Sequence, residues 1–167
     1  WLEWCSRNDI RGFVYFSTIK AVRTQPAGAT DESAMGPPPT SYGASKWAAE
    51  ELVRRWTAAD SRRSALILRP AVIYGPGSQG NLAAMARSIR RRQFLLVGPN
   101  ENRKSVVAID NVCAAVCHLL RRASPGSCEV FNLVDAKSYS VREIDGILRK
   151  RYGLSGNSPT IPIGLTR

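Results

Sequence analysis

Two residues suited to general acid/base chemistry, Tyr42 and Lys46, stand four positions apart in the stretch Ser-Tyr-Gly-Ala-Ser-Lys. On a helix this spacing places both side chains on one face, one turn from each other. A phenol ordinarily ionises near pH 10, and a nearby ammonium group favours its phenolate form. The pair is therefore a candidate general acid/base, although a surface tyrosine beside a surface lysine would show the same spacing.

A short apolar run, Phe13–Phe16, leads into Ser17 and Thr18, which lie 25 and 24 positions before Tyr42. The run is typical of a buried strand, and parallel sheets bind their ligands at the carboxyl ends of strands. At such an end, the Thr18 hydroxyl can bond the same substrate oxygen that Tyr42 protonates or deprotonates. We therefore expect a site where this strand end meets the Tyr42 helix.

Three glycines, Gly75, Gly77 and Gly80, have the G-x-G-x-x-G spacing of a dinucleotide-binding turn. Pro76 lacks the backbone N–H that a phosphate cradle uses. Glu101 stands near the distance of the usual ribose-binding acid, but it lies in a polar turn and not at a strand end. The spacing alone therefore does not identify a cofactor turn.

Apolar runs alternate with segments of helical period. Strands are predicted at 13–16, 65–68, 94–97, 105–109 and 129–134, and helices at 41–57, 82–92, 110–122 and 140–152, the last from a capping box. Within the first helix, Glu50 and Glu51 precede Arg54 and Arg55 by four positions, the spacing of helical ion pairs. The alternation predicts an α/β domain with a mainly parallel sheet.

The composition, 44% hydrophobic and 22% charged among 167 residues, is that of a globular protein, but the formal net charge is +11. The cations gather near predicted helix ends, where the helix dipole favours them. No aromatic residues are interleaved as in a base-stacking platform. We therefore prefer solvated helix ends to a nucleic-acid or anionic membrane surface. The clusters are Arg87 with Arg90–Arg92, Arg121–Arg122, and Arg149–Arg151.

The four cysteines lack the spacing of a disulfide framework, which favours a reducing cytoplasm. Cys113 and Cys117, beside His118, could ligate a metal from one helical face. The apolar residues around them favour a core helix instead, so we expect no metal site. No apolar run approaches the roughly 18 residues that a membrane span requires.

Three ordered stretches, Phe13–Thr18, Tyr42–Lys46 and Leu68–Gly77, resemble the signatures of the extended short-chain dehydrogenase/reductase family. Its members are nucleotide-sugar epimerases, dehydratases and 4-keto reductases. Residues 79–81, 102–105 and 109–112 are similar to the branch that acts on UDP-sugars for surface polysaccharides. The resemblance implies the C-terminal half of a Rossmann-type doubly wound parallel sheet, plus part of a small substrate-binding domain.

The resemblance also implies catalytic roles. Tyr42 would be the acid/base on the sugar 4-hydroxyl or 4-keto oxygen, while a hydride passes between sugar C4 and a nicotinamide. Lys46 would bind the nicotinamide ribose and favour the Tyr42 phenolate, and Thr18 would bond the reacting oxygen. Ser17 and Pro70 would lie beside the cofactor, which would be NAD or NADP.

On the substrate side, the resemblance implies that Asn81 and Arg103 face the nucleotide diphosphate, Arg103 as a charge-assisted phosphate partner. It also assigns the loop of Gly75, Gly77 and Gly80 to the substrate side and not to the cofactor. Residues 20–23 depart from the Val-Tyr-Gly or Asn-Gly-Glu that the family commonly shows, which leaves the substrate contacts of that loop open. Residues 19–20 lack a dehydratase's acidic pair, which disfavours dehydration.

The family's cofactor fingerprint lies roughly a hundred residues before the Thr18 strand, on the first strand-to-helix turn. We therefore expect a catalytic half without its cofactor half, inactive and poorly folded by itself because strand edges are exposed. Residues 1–75 would be the remaining part of the dinucleotide-binding domain. Residues 76–167 would be a mixed substrate-binding portion with returning Rossmann elements.

The favoured function is an NAD(P)-dependent nucleotide-sugar epimerase or 4-keto reductase in the cytoplasm, with no nucleic-acid partner and with a homodimer left open. One alternative is a dinucleotide-binding regulator without turnover, although such relatives usually lose the tyrosine or the lysine. The other is a basic nucleic-acid or membrane-surface module, whose binding would weaken steeply with salt.

Overall fold

The computed structural model describes residues 1–23 and 30–162. Its helices are α1 (Leu2–Arg7), α2 (Ser41–Ala58), α3 (Asn81–Arg90), α4 (Ile109–Leu120) and α5 (Val141–Arg151), with a 3-10 turn at Ile19–Ala21. Its strands are β1 (Gly12–Phe16), β2 (Ser64–Pro70), β3 (Val72–Tyr74), β4 (Leu96–Val97), β5 (Arg103–Lys104), β6 (Val106–Ala108), β7 (Cys128–Leu133), β8 (Tyr139–Ser140) and β9 (Thr160–Ile161).

The chain forms two compact units, each assembled from two stretches of sequence. The first comprises Trp1–Ala71 and Asp110–Leu133, and the second Val72–Ile109 and Val134–Arg167. The assignment of residues 1–75 and 76–167 to a cofactor part and a substrate part stays a prediction.

The first unit is built on a parallel three-stranded sheet in the order β1-β2-β7. Phe13 pairs with Ala65, and Ala65 with Cys128. As the central strand, β2 is buried from Ala65 to Pro70, which explains its continuous apolar run. Helix α2 packs against β2, and Val53, Ala65 and Ile67 form a buried cluster. The predicted α/β class with a parallel sheet is confirmed.

Helix α2 begins after Thr40, whose hydroxyl accepts a hydrogen bond from the Gly43 N–H at 3.2 Å. This cap satisfies one of the backbone donors that a helix start leaves unpaired. The helix runs for 18 residues and buries Val53, Trp56 and Thr57 in its second half. The spacing of Tyr42 and Lys46 is therefore helical, as predicted.

The second unit contains two short parallel pairs, β3 with β6 and β4 with β9, and one antiparallel pair, β5 with β8. Its helices α3 and α5 pack against each other. The predicted capping box is confirmed, because the Ser140 hydroxyl and the Glu143 carboxylate each accept from the other's backbone N–H. Helix α4 starts at Ile109, one residue before the predicted start at 110, and Asp110 lies in its first turn.

Cys113 and Cys117 are both exposed, so the expectation that they pack in a core was wrong. Val112 is the buried residue of α4, and Cys113 and Cys117 lie about 100° and about 140° around the helix from it. Within residues 1–23 and 30–162, no group of three His, Cys, Asp or Glu side chains is arranged to hold a metal ion. In the same ranges, no helix is both long and apolar enough to cross a membrane.

Candidate active site

The carboxyl end of β1 is fixed to the central strand. The Ser17 N–H donates to the Leu68 carbonyl at 2.7 Å, which extends the β1–β2 pairing past the end of the strand. Thr18 then caps the 3-10 turn, its hydroxyl accepting from the Lys20 N–H at 3.3 Å. Ser17 is buried and Thr18 half-buried, so the predicted pair stands where a parallel sheet presents ligand-binding groups.

One face of α2 carries Tyr42, Lys46 and Glu50 at successive turns. The Tyr42 side chain is 55% exposed, and its hydroxyl has no hydrogen-bond partner in the described part of the chain. The Lys46 ammonium donates to the Phe16 carbonyl at 3.1 Å and lies 5.2 Å from the centre of the Tyr15 ring. The lysine thus joins the helix to the end of β1, while the phenol stays available to a substrate.

The first turn of α2 approaches the 3-10 turn so closely that only glycine fits at position 43. A Cβ atom there would lie 2.3 Å from the Lys20 carbonyl oxygen, 2.4 Å from Pro38 Cγ and 2.8 Å from Thr40 Oγ1. Two of these neighbours are atoms of backbone or of a stiff ring, which cannot swing away. Gly43 therefore sets the separation between the Tyr42 turn and the segment after Thr18.

We expect Gly43→Ala to destabilise the protein by about 1–3 kcal/mol, because the overpacking outweighs alanine's better helix propensity. Gly146→Ala is the matched control. Gly146 also lies inside a helix, α5, but a Cβ there meets nothing within 4 Å. The control should stabilise by about 0.5–1 kcal/mol. Thermal unfolding checks both variants, and equal shifts would contradict the close approach at Gly43.

Sequence reasoning missed the most heavily bonded side chain near the site, Glu50. Its carboxylate is fully buried and accepts from Ser17 Oγ at 2.5 Å, from Arg69 Nε at 2.9 Å and from Arg69 Nη2 at 2.6 Å. Arg54 Nη2 adds a fourth hydrogen bond at 3.0 Å. Burial acts to raise the pKa of Glu50, but the hydrogen bonds from Arg69 and Ser17 and the Arg69 charge outweigh it, so the pKa lies below its ordinary value.

Pro70, predicted to border the cofactor, is buried at the carboxyl end of β2. It stands at the same sheet edge as Ser17, because β1 and β2 are parallel and Phe16 pairs with Leu68. The Ser17 hydroxyl is already engaged by Glu50. Contacts of Ser17 and Pro70 with a cofactor stay predictions.

The two predicted substrate residues, Asn81 and Arg103, lie in the second unit. Asn81 is exposed as the first residue of α3. Arg103, also exposed, donates to the Ser138 hydroxyl at 2.9 Å and to the Ser138 carbonyl, and lies 3.5 Å from the Glu143 carboxylate. A phosphate contact by Arg103 would compete with these bonds, so both roles stay predictions.

The glycine loop connects β3 to α3, and β3 pairs with β6 and not with the three-stranded sheet. Gly75 is held by tight packing, since a Cβ there would lie 2.4 Å from Ile109 Cγ2. Gly77 has a φ of 78°, a backbone angle that favours glycine. Steric reasons therefore account for two of the three glycines without any bound phosphate.

Tyr74, which lies directly before the glycine loop, is a second tyrosine with a possible acid/base role, and sequence reasoning did not consider it. Its hydroxyl donates to the Asp135 carboxylate at 2.8 Å. This hydrogen bond, with burial and the Asp135 charge, raises the pKa of Tyr74. Its proton is thus held by a carboxylate, in contrast to the unpartnered hydroxyl of Tyr42, which makes Tyr74 the poorer candidate for a general base.

The parallel sheet with helices packed on it defines a Rossmann-like α/β fold. The UDP-glucuronic acid 4-epimerase of Bacillus cereus, solved in complex with NAD, superposes with a TM-score of 0.83 over 96% of this chain and 53% of that chain, at 21% identity. The model of the NAD dependent epimerase/dehydratase family matches residues 1–133. The chain belongs to the NAD-dependent epimerase/dehydratase family, as the resemblance of its motifs indicated.

Two curated relatives support the family assignment. The N-acetyl-alpha-D-glucosaminyl-diphospho-ditrans,octacis-undecaprenol 4-epimerase of Escherichia coli O157:H7 is 31% identical over 139 residues, 83% of this chain and 41% of that protein. The UDP-glucose 4-epimerase of Vibrio cholerae is 28% identical over 143 residues, 82% of this chain and 42% of that protein. The chain thus spans about two fifths of the length of these relatives.

The family implies a nicotinamide dinucleotide, and the residues at the end of β1 fit one. The Lys46 ammonium has three N–H groups and donates one of them, to Phe16, among the described residues. Its other donors suit the hydroxyl groups of a ribose, and Tyr42 one turn away keeps a free phenol.

Proposed function

We propose that this chain carries the acid/base residues of an NAD(P)-dependent nucleotide-sugar epimerase or 4-keto reductase acting at sugar C4. The observation that supports it most is the unpartnered, half-exposed hydroxyl of Tyr42, one helical turn from a lysine bound to the end of β1. Membership in the NAD-dependent epimerase/dehydratase family supports this reaction class.

In the proposed reaction, the Tyr42 phenolate takes the proton of the sugar 4-hydroxyl as the C4 carbonyl forms. The phenol returns that proton when the carbonyl is reduced. Thr18 holds the same oxygen by a hydrogen bond, and Lys46 carries its ammonium group one helical turn from the phenol. A nicotinamide dinucleotide, held by Lys46 through its ribose, would supply the hydride acceptor and donor for C4. Epimerase and reductase use these residues alike, and only a reductase would consume reduced cofactor.

For the substrate we propose a UDP-linked sugar, as the name of the B. cereus enzyme suggests by similarity. The E. coli relative favours a second candidate, because its name describes a sugar diphosphate carried on a polyprenol. Arg87, Arg90, Arg91 and Arg92 are exposed and make no ion pair with the described residues. Such a cationic cluster suits the anionic membrane surface on which a polyprenol-linked substrate would lie.

Activity tests the proposal. The complete protein is incubated with NAD or NADP and, separately, with a UDP-sugar or a polyprenyl diphosphate sugar, and the configuration at C4 is followed by NMR. A C4 epimer without net cofactor consumption identifies an epimerase, and stoichiometric oxidation of NAD(P)H identifies a reductase. No C4 chemistry with either substrate class would refute the function.

Within this assay we expect Lys46→Met to lower kcat by about ten- to a hundredfold and to weaken dinucleotide binding, because the ammonium is lost while the aliphatic stem stays. Lys150→Met, at an exposed lysine in the last turn of α5, is the control and should keep both values. The measurements are kcat and the dinucleotide Kd by fluorescence titration. Unchanged values for Lys46→Met would remove the lysine from the site.

A further inference from the structure

Three successive contacts join α2 to the chain at the end of β1. At the first turn of the helix, Gly43 lies against the Lys20 carbonyl. One turn later the Lys46 ammonium bonds the Phe16 carbonyl, and after another turn Glu50 bonds the Ser17 hydroxyl. Helix α2 therefore contacts the chain on both sides of Thr18.

The last of these contacts is rigid because the Glu50 carboxylate is fully bonded. Oε1 accepts from Ser17 and Arg69, and Oε2 from Arg69 and Arg54. The two Arg69 bonds form a bidentate fork, the strongest geometry for a carboxylate and a guanidinium. Both Glu50 and Arg69 are fully buried. No substrate or cofactor atom can reach this carboxylate, so it has no direct part in the chemistry.

The position that Glu50 fixes is adjacent to a reacting group. Ser17 is held twice, by its side chain to Glu50 and by its N–H to the Leu68 carbonyl. Thr18 is the next residue, so its α-carbon stands about 3.8 Å from that of Ser17. A shift of Ser17 would carry the Thr18 hydroxyl with it, relative to a Tyr42 fixed on the same helix as Glu50.

We propose that Glu50, locked by Arg69, is a positioning residue that sets the distance between the Thr18 hydroxyl and the Tyr42 phenol by holding Ser17. The proposal rests on the proposed function, since it concerns the two groups assigned to the sugar oxygen. Glu50 acts through Ser17 and does not touch the substrate. Misplacement of reacting groups by about 1 Å can cost about a hundredfold in rate.

The test replaces the pair by apolar side chains, in Glu50→Met/Arg69→Met. Exchanging a buried ion pair for packed apolar residues commonly preserves the fold, whereas removing one partner does not. In the complete protein we expect kcat to fall by about ten- to a hundredfold while KM stays within about threefold, because binding groups are untouched and only the reacting geometry loosens. A kcat equal to that of the wild type overturns the proposal.

A second variant covers the case in which the double variant does not fold. Glu50→Asp keeps the charge that Arg69 needs but is one methylene shorter, so it cannot hold Arg69 and Ser17 together. We expect a folded protein with a several-fold lower kcat and an unchanged KM. Full kcat in this variant also overturns the proposal.

Val53→Ala is the matched control. Val53 lies on the same helix, three residues after Glu50, and is buried against Ala65 and Ile67. It should lower the thermal midpoint and leave kcat unchanged, and an equal loss of kcat would show that general packing and not Glu50 is responsible.

Tyr42→Phe separates the positioning role of Glu50 from the proposed function. If Tyr42→Phe is inactive while the Glu50 variants are fully active, only the positioning role fails, and if Tyr42→Phe is fully active, the proposed function itself fails.

Discussion

Tyr42→Phe is expected to lower kcat by about a hundredfold to ten-thousandfold, the usual range for loss of a general acid/base. The substitution removes one oxygen atom that has no hydrogen-bond partner among the described residues, so the fold should not change. Steady-state kinetics on the active substrate, with thermal unfolding in parallel, measures both effects.

Binding should survive the Tyr42 substitution, because Lys46 and the strand end stay in place. Tyr152→Phe is the control, since Tyr152 lies just after α5 in the second unit, and it should keep full activity. Undiminished turnover by Tyr42→Phe would mean that another group moves the proton.

Glu50→Gln is expected to cost about 3–5 kcal/mol of unfolding free energy, because it leaves the Arg69 charge buried without a counterion. One Arg69 nitrogen, Nη1, is buried and has no hydrogen-bond partner among the described residues, so the guanidinium depends on Glu50 for its contacts. Glu51→Gln is the control. Glu51 also bonds Arg54, at 2.6 Å, but its carboxylate side chain is 40% exposed and that of Glu50 is fully buried, so less than about 1 kcal/mol should be lost.

The same pair predicts a dependence of stability on pH. The pKa of Glu50 is lower in the folded protein than its ordinary value, so the charged pair contributes its full stability above the unfolded pKa, near 4.3. That contribution is lost as the pH falls through the lower folded pKa. The stability difference between the wild type and Glu50→Gln should therefore shrink on acidification below about pH 4, as denaturant titrations at several pH values would measure. A difference that is constant down to pH 3 would contradict an ionised Glu50.

The main sheet and helix α2 were predicted correctly, because an element with many residues shows the periodic placement of apolar side chains that identifies a helix or a strand. The four-residue spacing of Tyr42 and Lys46 became a helical face, and the ordered motifs led to the correct family. The two-residue strands β4, β5, β8 and β9 were not predicted as pairs. A strand of two residues is too short to show an alternation of apolar and polar side chains. Its pairing depends on backbone from a distant part of the sequence.

Glu50 was read as one member of a helical ion pair, because Glu50 and Arg54 have the spacing of a solvated face. Glu50 is instead buried against Arg69, which lies 19 residues away in the sequence, and no local sequence pattern connects Arg69 to α2. A signal did exist in the sequence. Arg69 directly follows the apolar run 65–68, and an arginine that continues a buried strand requires a carboxylate from the covering helix.

The even spacing of Tyr42, Lys46 and Glu50 along α2 constrains how this segment can evolve. Each added or deleted residue between positions 42 and 50 would turn the part of the helix that lies beyond it by about 100°. Tyr42, Lys46 and Glu50 would then no longer project from one face of α2. Homologous proteins that keep this chemistry should therefore vary here by substitution and never by length, whereas surface loops can tolerate insertions.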